Sequence, residues 1–286
     1  MSRIAYVNGS FVPFEDAKIP ITDRGFLFAD GIYEVSAVLN GALVDNEAHL
    51  ARLDRSLKEI GIANPYTAAE WTRLEEDLVR RNGVEEGLVY MQVTRGAAER
   101  DFAFPKDAKP TVVMFTQAKN ISRSAMAETG AAVITVPDLR WKRRDIKSVA
   151  LLAQVLAKQA AAEAGVFEAW MVEDGHVTEG GSSTAFIITG DKRIVTRPLS
   201  NAILPGITRL SVLRLAREQG LTLEERLFTV EEALAADEAF LTSASSFVMP
   251  VVSIDGKPVG SGKPGPLVRK LRALYIEAAT APAKAA

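Results

Sequence analysis

One lysine stands at the start of a long apolar segment and could act as a nucleophile. The segment RRDIKSVALLAQVLAKQAAAEAG, residues 143–165, opens with charged side chains that include Lys147, and it then has few polar residues. Its spacing predicts a packed helix that begins at about Val149 and stops at Gly165. A cation near a helix N-terminus faces the positive end of the helix dipole, which favours a neutral amine suited to carbonyl chemistry. A solvated surface lysine is the alternative.

Three further features would complement such an amine. Glu179 ends an apolar strand in VTEGGSSTAF, where a carboxylate either caps the next segment or partners a buried cation. In ILPGITR a helix follows Gly206, and its first turn offers N–H groups and the Thr208 hydroxyl, as phosphate-binding helices and many ligand-free helices do. LTSASS, at 241–246, adds hydroxyls at a strand end. An amine, a carboxylate and phosphate-sized pockets match the aldehyde, pyridine nitrogen and phosphate of pyridoxal phosphate, although none is specific alone.

Composition narrows the remaining chemistry. The 286 residues include 34 basic and 36 acidic side chains, a net charge of -2, and no dense basic cluster, so no nucleic-acid partner is expected. Cysteine is absent and only His49 and His176 are histidines, which argues against a thiolate nucleophile and against a metal site. The N-terminal sequence has no apolar signal core, and no run is long enough to span a bilayer. A cytoplasmic protein without a membrane partner is expected.

The elements that must position these residues indicate two domains. The turns Asn8-Gly9 and Asn40-Gly41 predict hairpins, and helices and further strands follow them in a small α+β domain at residues 1–119. A polar stretch suggests an interdomain linker at 120–124. Residues 125–286 mix strands and helices without a regular βαβ repeat, which predicts a mixed sheet or barrel with helices outside it.

Ordered motifs over nearly the whole chain carry a family resemblance. They run from DRGFLFADGIYEV through HLARLDRS, VYMQVTRG, DIKS, VTEGGSS and ILPGITR to LTSASSFVMPV. The sequence resembles the class IV, or fold type IV, pyridoxal-phosphate aminotransferases, and within them the D-amino acid (D-alanine) transaminases. The resemblance implies a mixed α/β fold with a small α+β N-terminal domain and a larger pseudo-barrel C-terminal domain, pyridoxal 5'-phosphate as cofactor, and a homodimer with its active site at the interface.

The same resemblance implies a role for individual residues. It makes Lys147 the catalytic lysine that forms a Schiff base with the cofactor, and Glu179 the partner of the pyridine nitrogen. It puts Tyr33 near that bond and near the substrate carboxylate, although a core aromatic on a strand is the alternative. The residues that it assigns to the cofactor phosphate are Arg52, Ile207, Thr208, Ser243, Ala244 and Ser245.

One position of the substrate site departs from the family pattern. D-amino acid transaminases of the best-known type read the substrate carboxylate with an Arg-x-His pair from the neighbouring subunit. The segment RGAAERDFAFP retains Arg100 but has Phe102 in place of that histidine. Arg100 can still bind a carboxylate with two hydrogen bonds. An apolar Phe102 leaves room for other groups, including amines that have no carboxylate.

The expected reaction is transamination between D-amino acids of the D-alanine type and 2-oxo acids of the 2-oxoglutarate type, with ping-pong kinetics. On the same fold, a branched-chain L-amino acid transaminase, an (R)-selective amine transaminase and an aminodeoxychorismate lyase are alternatives. A pyridoxal-phosphate-binding protein without turnover, or a plain interaction domain, is the alternative from another class.

Overall fold

The computed structural model describes residues 2–280, which fall into two compact units. The first unit runs up to Asn120 and also includes Ile146–Ala150. The second consists of Ile121–Asp145 and the described residues from Leu151 onward. The domain limits 1–119 and 125–286 with their linker stay a prediction. Residues 281–286, the end of the predicted C-terminal domain, lie outside the described residues.

A six-stranded antiparallel sheet forms the first unit, in the order β2-β1-β6-β5-β3-β4. Three α-helices, and a 3-10 turn at Phe14–Asp16, accompany it. The strands are β1 (Ile4–Val7), β2 (Ser10–Pro13), β3 (Gly31–Leu39), β4 (Ala42–Leu43), β5 (Glu86–Thr94) and β6 (Thr111–Ala118), and the helices are α1 (Arg24–Phe28), α2 (Asn46–Glu59) and α3 (Ala68–Asn82).

Local sequence explains where these elements begin and end. Asn8 and Asn40 have positive φ angles of 47° and 51°, and the glycine after each of them does too, so both Asn-Gly pairs form the predicted hairpin turns. Helix α3 begins with a capping box, in which Thr67 and Glu70 satisfy each other's backbone N–H groups. It ends at Gly83 in the left-handed conformation.

Alternate residues of β3 face the core of the first unit. Ile32 and Val38 are fully buried in an apolar cluster that includes Leu53, Leu57 and Trp71 from the helices. Two polar residues share this face of the strand, because strand side chains alternate with a period of two. They are Glu34 and Ser36.

The second unit is a nine-stranded mixed sheet with five helices. Its order is β12-β11-β10-β13-β14-β7-β8-β9, with β15 paired to β14. The β7/β8, β7/β14 and β11/β12 pairs are parallel and the other pairs are antiparallel. Its elements are β7 (Ala131–Pro137), β8 (Glu168–Glu173), β9 (His176–Gly180), β10 (Thr184–Ile188), β11 (Ile194–Thr196), β12 (Leu223–Glu225), β13 (Glu238–Ser243), β14 (Phe247–Ile254), β15 (Lys257–Pro258), α4 (Ala125–Thr129), α5 (Leu152–Glu163), α6 (Ile207–Glu218), α7 (Val230–Ala235) and α8 (Pro266–Thr280).

Helix α5 differs from its prediction in both start and burial. It begins at Leu152, not at about Val149. Only its alanines at 157 and 161 are buried, because small side chains let the helix approach β8 closely. Leu152, Val155 and Leu156 are 72%, 58% and 56% exposed, so the predicted packed helix packs through its alanines and not through these large apolar side chains. No helix among residues 2–280 is long and apolar enough to cross a membrane.

Candidate active site

The backbone of Lys147 is held in an extended segment beside β3. Tyr33 N donates to Lys147 O at 3.0 Å, and Val149 N donates to Gly31 O at 3.0 Å. Lys147 N donates to Ser56 Oγ at 3.4 Å. The prediction that Lys147 lies at a helix N-terminus is therefore wrong, because α5 begins only after this segment and the lysine lies alongside a strand.

An aromatic stack covers one side of the lysine amine. Lys147 Nζ lies 4.1 Å from the centroid of the Tyr33 ring. Tyr33 stacks on Tyr90 at 5.7 Å between centroids, and Tyr90 stacks on Phe115 at 4.8 Å. Burial, together with the neighbouring Tyr33, raises the pKa of Tyr90, so its hydroxyl stays protonated and donates to Gln92. The structure thus brings two predicted site residues, Lys147 and Tyr33, into contact.

Arg52 belongs to a buried ion pair and is not a solvated helix residue. Its Nε and Nη2 donate to the two carboxylate oxygens of Glu34 at 2.7 and 2.8 Å. His49 Nδ1, one helical turn earlier on α2, lies 2.8 Å from Glu34 Oε2. Burial alone would raise the pKa of Glu34, but the Arg52 guanidinium and the hydrogen bonds from Arg52 and His49 lower it to about 2.

Glu179 is buried at the end of β9 and has two kinds of partner. Its carboxylate accepts a hydrogen bond from Arg140 and another from the backbone N–H of Leu204, at 3.1 Å to Oε1. The interpretation of Glu179 as the partner of a buried cation thus agrees with the structure, whereas the backbone N–H that it caps belongs to Leu204 and not to the segment that follows it. Arg140 is shared with Asp138, at 2.7 Å. Burial raises the pKa of Glu179 and outweighs the opposing charge of Arg140.

The N-terminus of α6 has donors suited to an anion. The N-cap residue Gly206 supplies no side-chain hydrogen bond to the first turn. A Cβ at this position would come within 2.7 Å of Thr184 Oγ1, so glycine leaves that space open. Ile207 and Thr208 are buried, and N–H groups of a first turn have no acceptor within their own helix. The helix dipole further favours negative charge here.

A turn rich in hydroxyl groups joins β13 to β14 in the same unit. Ser243 Oγ lies 3.3 Å from Ser245 Oγ and 2.7 Å from Ser246 Oγ. Among the described residues, Thr242 Oγ1 is buried without a hydrogen-bond partner. Hydroxyl and N–H donors of this kind bind phosphate oxygens well. The first unit offers an amine at Lys147, and the second unit offers a buried carboxylate at Glu179 and these donors. Each of these groups by itself suits one part of pyridoxal 5'-phosphate, namely its aldehyde, its pyridine nitrogen or its phosphate.

Arg100 and Phe102 lie in the loop after β5. The Arg100 guanidinium carbon is 5.2 Å from the Phe28 ring centroid and 5.6 Å from that of Phe102. Phe102 is 76% exposed and contacts Phe28 at 5.3 Å between centroids. The structure thus places Arg100 among aromatic rings on the surface of the first unit.

Known proteins resemble this chain over nearly its whole length. A family model for amino-transferase class IV matches residues 31–254. A D-alanine aminotransferase of Bacillus licheniformis is 42% identical over 265 residues, 93% of each chain. One of Staphylococcus aureus (strain MSSA476) is 41% identical over 268 residues, 93% of this chain and 94% of the relative. A solved branched-chain aminotransferase from the archaeon Thermoproteus uzoniensis, with norvaline, has a TM-score of 0.88 and 27% identity, and the match covers 97% of this chain and 94% of that one.

The mixed fold, the donor set and these matches define an aminotransferase. The chain belongs to the class IV aminotransferases, whose cofactor is pyridoxal 5'-phosphate. The family resemblance, the fold class and the cofactor predicted from the sequence are confirmed.

Three residues that hold the predicted site residues escaped the sequence analysis. Glu34 holds Arg52, His49 supports Glu34, and Arg140 holds Glu179. An acid within the apolar strand GIYEVSAVL, on the same face as Ile32, was a usable signal of a buried charge. For Arg140, one basic residue among several in LRWKRR, the sequence contains no comparable signal.

Proposed function

We propose that this aminotransferase moves the amino group between D-amino acids of the D-alanine type and 2-oxo acids of the 2-oxoglutarate type. The observation that carries the substrate class is the 42% identity, over 93% of both chains, with the D-alanine aminotransferase of Bacillus licheniformis. Two half-reactions, in which one product leaves before the second substrate binds, give ping-pong kinetics.

Lys147 is the proposed catalytic residue. When bound, pyridoxal phosphate supplies an aldehyde that condenses with amines and a ring that takes up electrons from the substrate Cα. Lys147 Nζ would hold this aldehyde covalently, and as general base and acid it would move the proton of the substrate Cα. Its contact with the Tyr33 ring supports this role, because it limits the directions that the amine can take.

Glu179 is the proposed partner of the pyridine nitrogen. Its pKa is raised by burial, and Arg140 with the Leu204 N–H fixes its orientation. A buried carboxylate with a raised pKa and a fixed orientation shares a proton readily, which would keep the ring nitrogen protonated. Glutamine would accept the same hydrogen bond from Leu204 without that capacity.

The phosphate group would be held by a cation and by neutral donors. Arg52, aimed by Glu34, would supply the charge. The first turn of α6 and the Ser243–Ser245 turn would supply N–H and O–H donors from Ile207, Thr208, Ser243, Ala244 and Ser245. Ala244 has no hydroxyl and would contribute its backbone N–H alone.

Arg100, Phe102 and Tyr33 are the proposed substrate-binding residues. Arg100 would bind the substrate carboxylate, and Phe102, in the place of a histidine, would leave part of that site apolar. We further propose a homodimer in the cytoplasm. The exposed side chains of Leu152, Val155 and Leu156 support the dimer, because an apolar helix face of this kind is usually covered by a partner.

A branched-chain L-amino acid transaminase is the second candidate. It is supported by the TM-score of 0.88 with the Thermoproteus uzoniensis enzyme, at 27% identity. The higher identity to the D-alanine aminotransferases favours the first candidate.

Single half-reactions separate these candidates. The cofactor-loaded protein is mixed separately with D-alanine, L-leucine and (R)-1-phenylethylamine, and the visible absorbance of the bound cofactor is followed. D-alanine is expected to bleach it fastest. Bleaching by L-leucine but not by D-alanine would overturn the proposed substrate class.

A lysine variant tests the site assignment. Lys147→Ala is expected to bind the cofactor without a covalent bond that borohydride can reduce. Lys158→Ala, at a lysine on α5 that instead pairs with Glu168, is the matched control and should keep the reducible bond. A reducible adduct that persists in Lys147→Ala contradicts the assignment.

A further inference from the structure

The motif DRGFLFAD has no role in the proposed chemistry, yet it makes buried contacts to the loop that carries Arg100. We propose that Arg24, Asp30 and Arg95 form a clamp that positions Arg100 for the substrate carboxylate. This inference rests on the proposed function, in which Arg100 reads that carboxylate.

Arg24 donates hydrogen bonds to the backbone of the loop next to Arg100. Its side chain is buried, and the residue is only 3% exposed. Nη1 donates to the carbonyl of Asp101 at 2.5 Å, and Nη2 donates to that of Phe102 at 3.3 Å. Nε donates to Asp30 Oδ2 at 2.8 Å. One guanidinium therefore joins two successive loop carbonyls to the partly buried carboxylate of Asp30.

Arg95 anchors the same carboxylate to the rest of the first unit. Its Nε and Nη2 donate to the two oxygens of Asp30 at 2.7 and 3.0 Å. The guanidinium also donates to Ile60 O at 2.7 Å and to Gly61 O at 3.0 Å, at the end of α2. Asp30 thus links Arg24 to α2 and to the end of β5, because Arg24 and Arg95 both donate to its carboxylate.

Close backbone packing fixes the start of the loop as well. Arg24 N donates to Gly96 O at 2.9 Å, and Thr94 Oγ1 donates to Asp23 Oδ2 at 2.9 Å. A Cβ on Gly25 would meet Thr94 Cγ2 at 2.2 Å. Gly96 has a φ of +99°, and a Cβ there would lie 1.9 Å from Lys109 O. Both glycines are required for this approach.

The exposure of the loop side chains indicates that the clamp does not serve to bury apolar surface in the core. Phe102 and Phe104 remain exposed, so holding the loop buries little apolar surface. Two arginines are desolvated for this purpose, which is unfavourable unless their hydrogen bonds are all made. Arg100 itself has aromatic neighbours, Phe28 and Phe102, and the carbonyl of Phe102 is one that Arg24 holds. The position of the clamped backbone therefore sets the orientation of Arg100, which two-point recognition of a carboxylate requires.

The kinetic test uses the cofactor-loaded enzyme with Arg24→Lys and Arg24→Met. Lysine keeps the charge beside Asp30 but cannot bridge two carbonyls. We expect KM for D-alanine to rise roughly tenfold in Arg24→Lys, the effect of losing a hydrogen bond to a charged group, with kcat changed by less than about threefold. Arg100→Met should raise KM similarly, and the double variant Arg24→Lys/Arg100→Met no further than Arg100→Met alone.

Arg80→Lys, at an exposed arginine of α3, is the control and should leave both constants unchanged. An unchanged KM in Arg24→Lys, or KM effects of Arg24→Lys and Arg100→Met that multiply in the double variant, would overturn the positioning role.

A second readout does not depend on catalysis. Trypsin cleaves after arginine, and Arg100 is exposed. If the clamp holds the loop, cleavage after Arg100 should be roughly tenfold faster in Arg24→Lys than in the wild type and in Arg80→Lys. Equal cleavage rates overturn the clamp even if Arg24→Met does not fold. If the wild-type enzyme does not react with D-alanine but Arg24→Lys is still cleaved faster than the wild type, the proposed function and the role of Arg100 in substrate binding are overturned. The result would still support the clamp as the structure that holds the loop.

Discussion

Glu34 in the first unit and Glu179 in the second are both buried carboxylates that face an arginine, yet their pKa values move in opposite directions. Burial raises the pKa in both cases. At Glu34 the opposing interactions win and the pKa falls to about 2. At Glu179 burial wins and the pKa is raised.

The difference lies in the groups that surround each carboxylate. Arg52 gives Glu34 two hydrogen bonds, and His49 adds a third. Arg140 divides its hydrogen bonds between Glu179 and Asp138, and the negative charge of Asp138 raises the pKa of Glu179 further. Glu34, which its cationic and hydrogen-bonding neighbours hold as an anion, serves as an anchor, whereas Glu179, with Asp138 close to its arginine, keeps a raised pKa and can share a proton.

Removing the proton-sharing group should produce the largest effect. Glu179→Gln is expected to lower kcat by about 10²–10⁴-fold, the contribution of a positioned acid or base, while visible absorbance still reports bound cofactor. Glu173→Gln, at a partly exposed acid paired with Arg144, is the control and should keep near-normal kcat. A Glu179→Gln enzyme with wild-type kcat would mean that the two carboxylates do not differ in function.

Changing the anchor should affect stability before chemistry. Glu34→Gln removes the negative charge from the buried pair with Arg52, so the free energy of unfolding should fall by about 3 kcal/mol. Urea unfolding measures this, with Glu47→Gln, at the exposed start of α2, as the control. The sign of the pH effect follows from the lowered pKa: the contribution of Glu34 is present above its ordinary value of 4.5 and is lost as the pH falls towards about 2. Wild-type stability in Glu34→Gln contradicts the anchoring role.

Glu75 extends the comparison to a buried carboxylate that accepts from an amide. Asn46 donates to it at 3.0 Å, and burial raises its pKa to about 8. Because the pKa is higher in the folded state, its contribution to stability is complete below pH 4.5 and is lost as the pH rises towards about 8. Glu75→Gln should therefore flatten the loss of stability between about pH 6 and pH 8, an effect of about 2–3 kcal/mol at most over this range. Parallel pH profiles for the wild type and the variant would refute this.

Sequence predicted the elements whose signals are local. The Asn-Gly hairpins and the Thr67 capping box depend on neighbouring residues, and each is found. Helix α5 was misjudged because hydrophobic periodicity reports an apolar face and does not reveal what covers it. The burial of Glu179 followed from its apolar strand, whereas its link to Arg140 depends on how two distant parts of the chain fold together.

Contacts between residues far apart in the chain explain what else was missed. Arg24 of α1 donates to the carbonyl of Asp101, in the loop between β5 and β6. Arg95 donates to the carbonyl of Ile60, at the end of α2. No spacing rule links such positions, so neither arginine differs from a surface residue in the sequence. The proposed catalytic role of Lys147 rests on the ordered family motifs. The dipole of a helix N-terminus does not support it, because α5 begins only at Leu152.

The stack of Tyr33, Tyr90 and Phe115 has a consequence for the motions of the lysine's surroundings. A ring flip of Tyr33 needs space that Tyr90 can give only if Phe115 also moves, because the three rings lie face to face across three adjacent strands. The Tyr33 ring is therefore expected to flip only when the neighbouring strands move apart transiently, which is slower than the rotation of an exposed side chain. Engineering for altered substrates that trims Phe115 would speed that rotation from two strands away, without touching the amine.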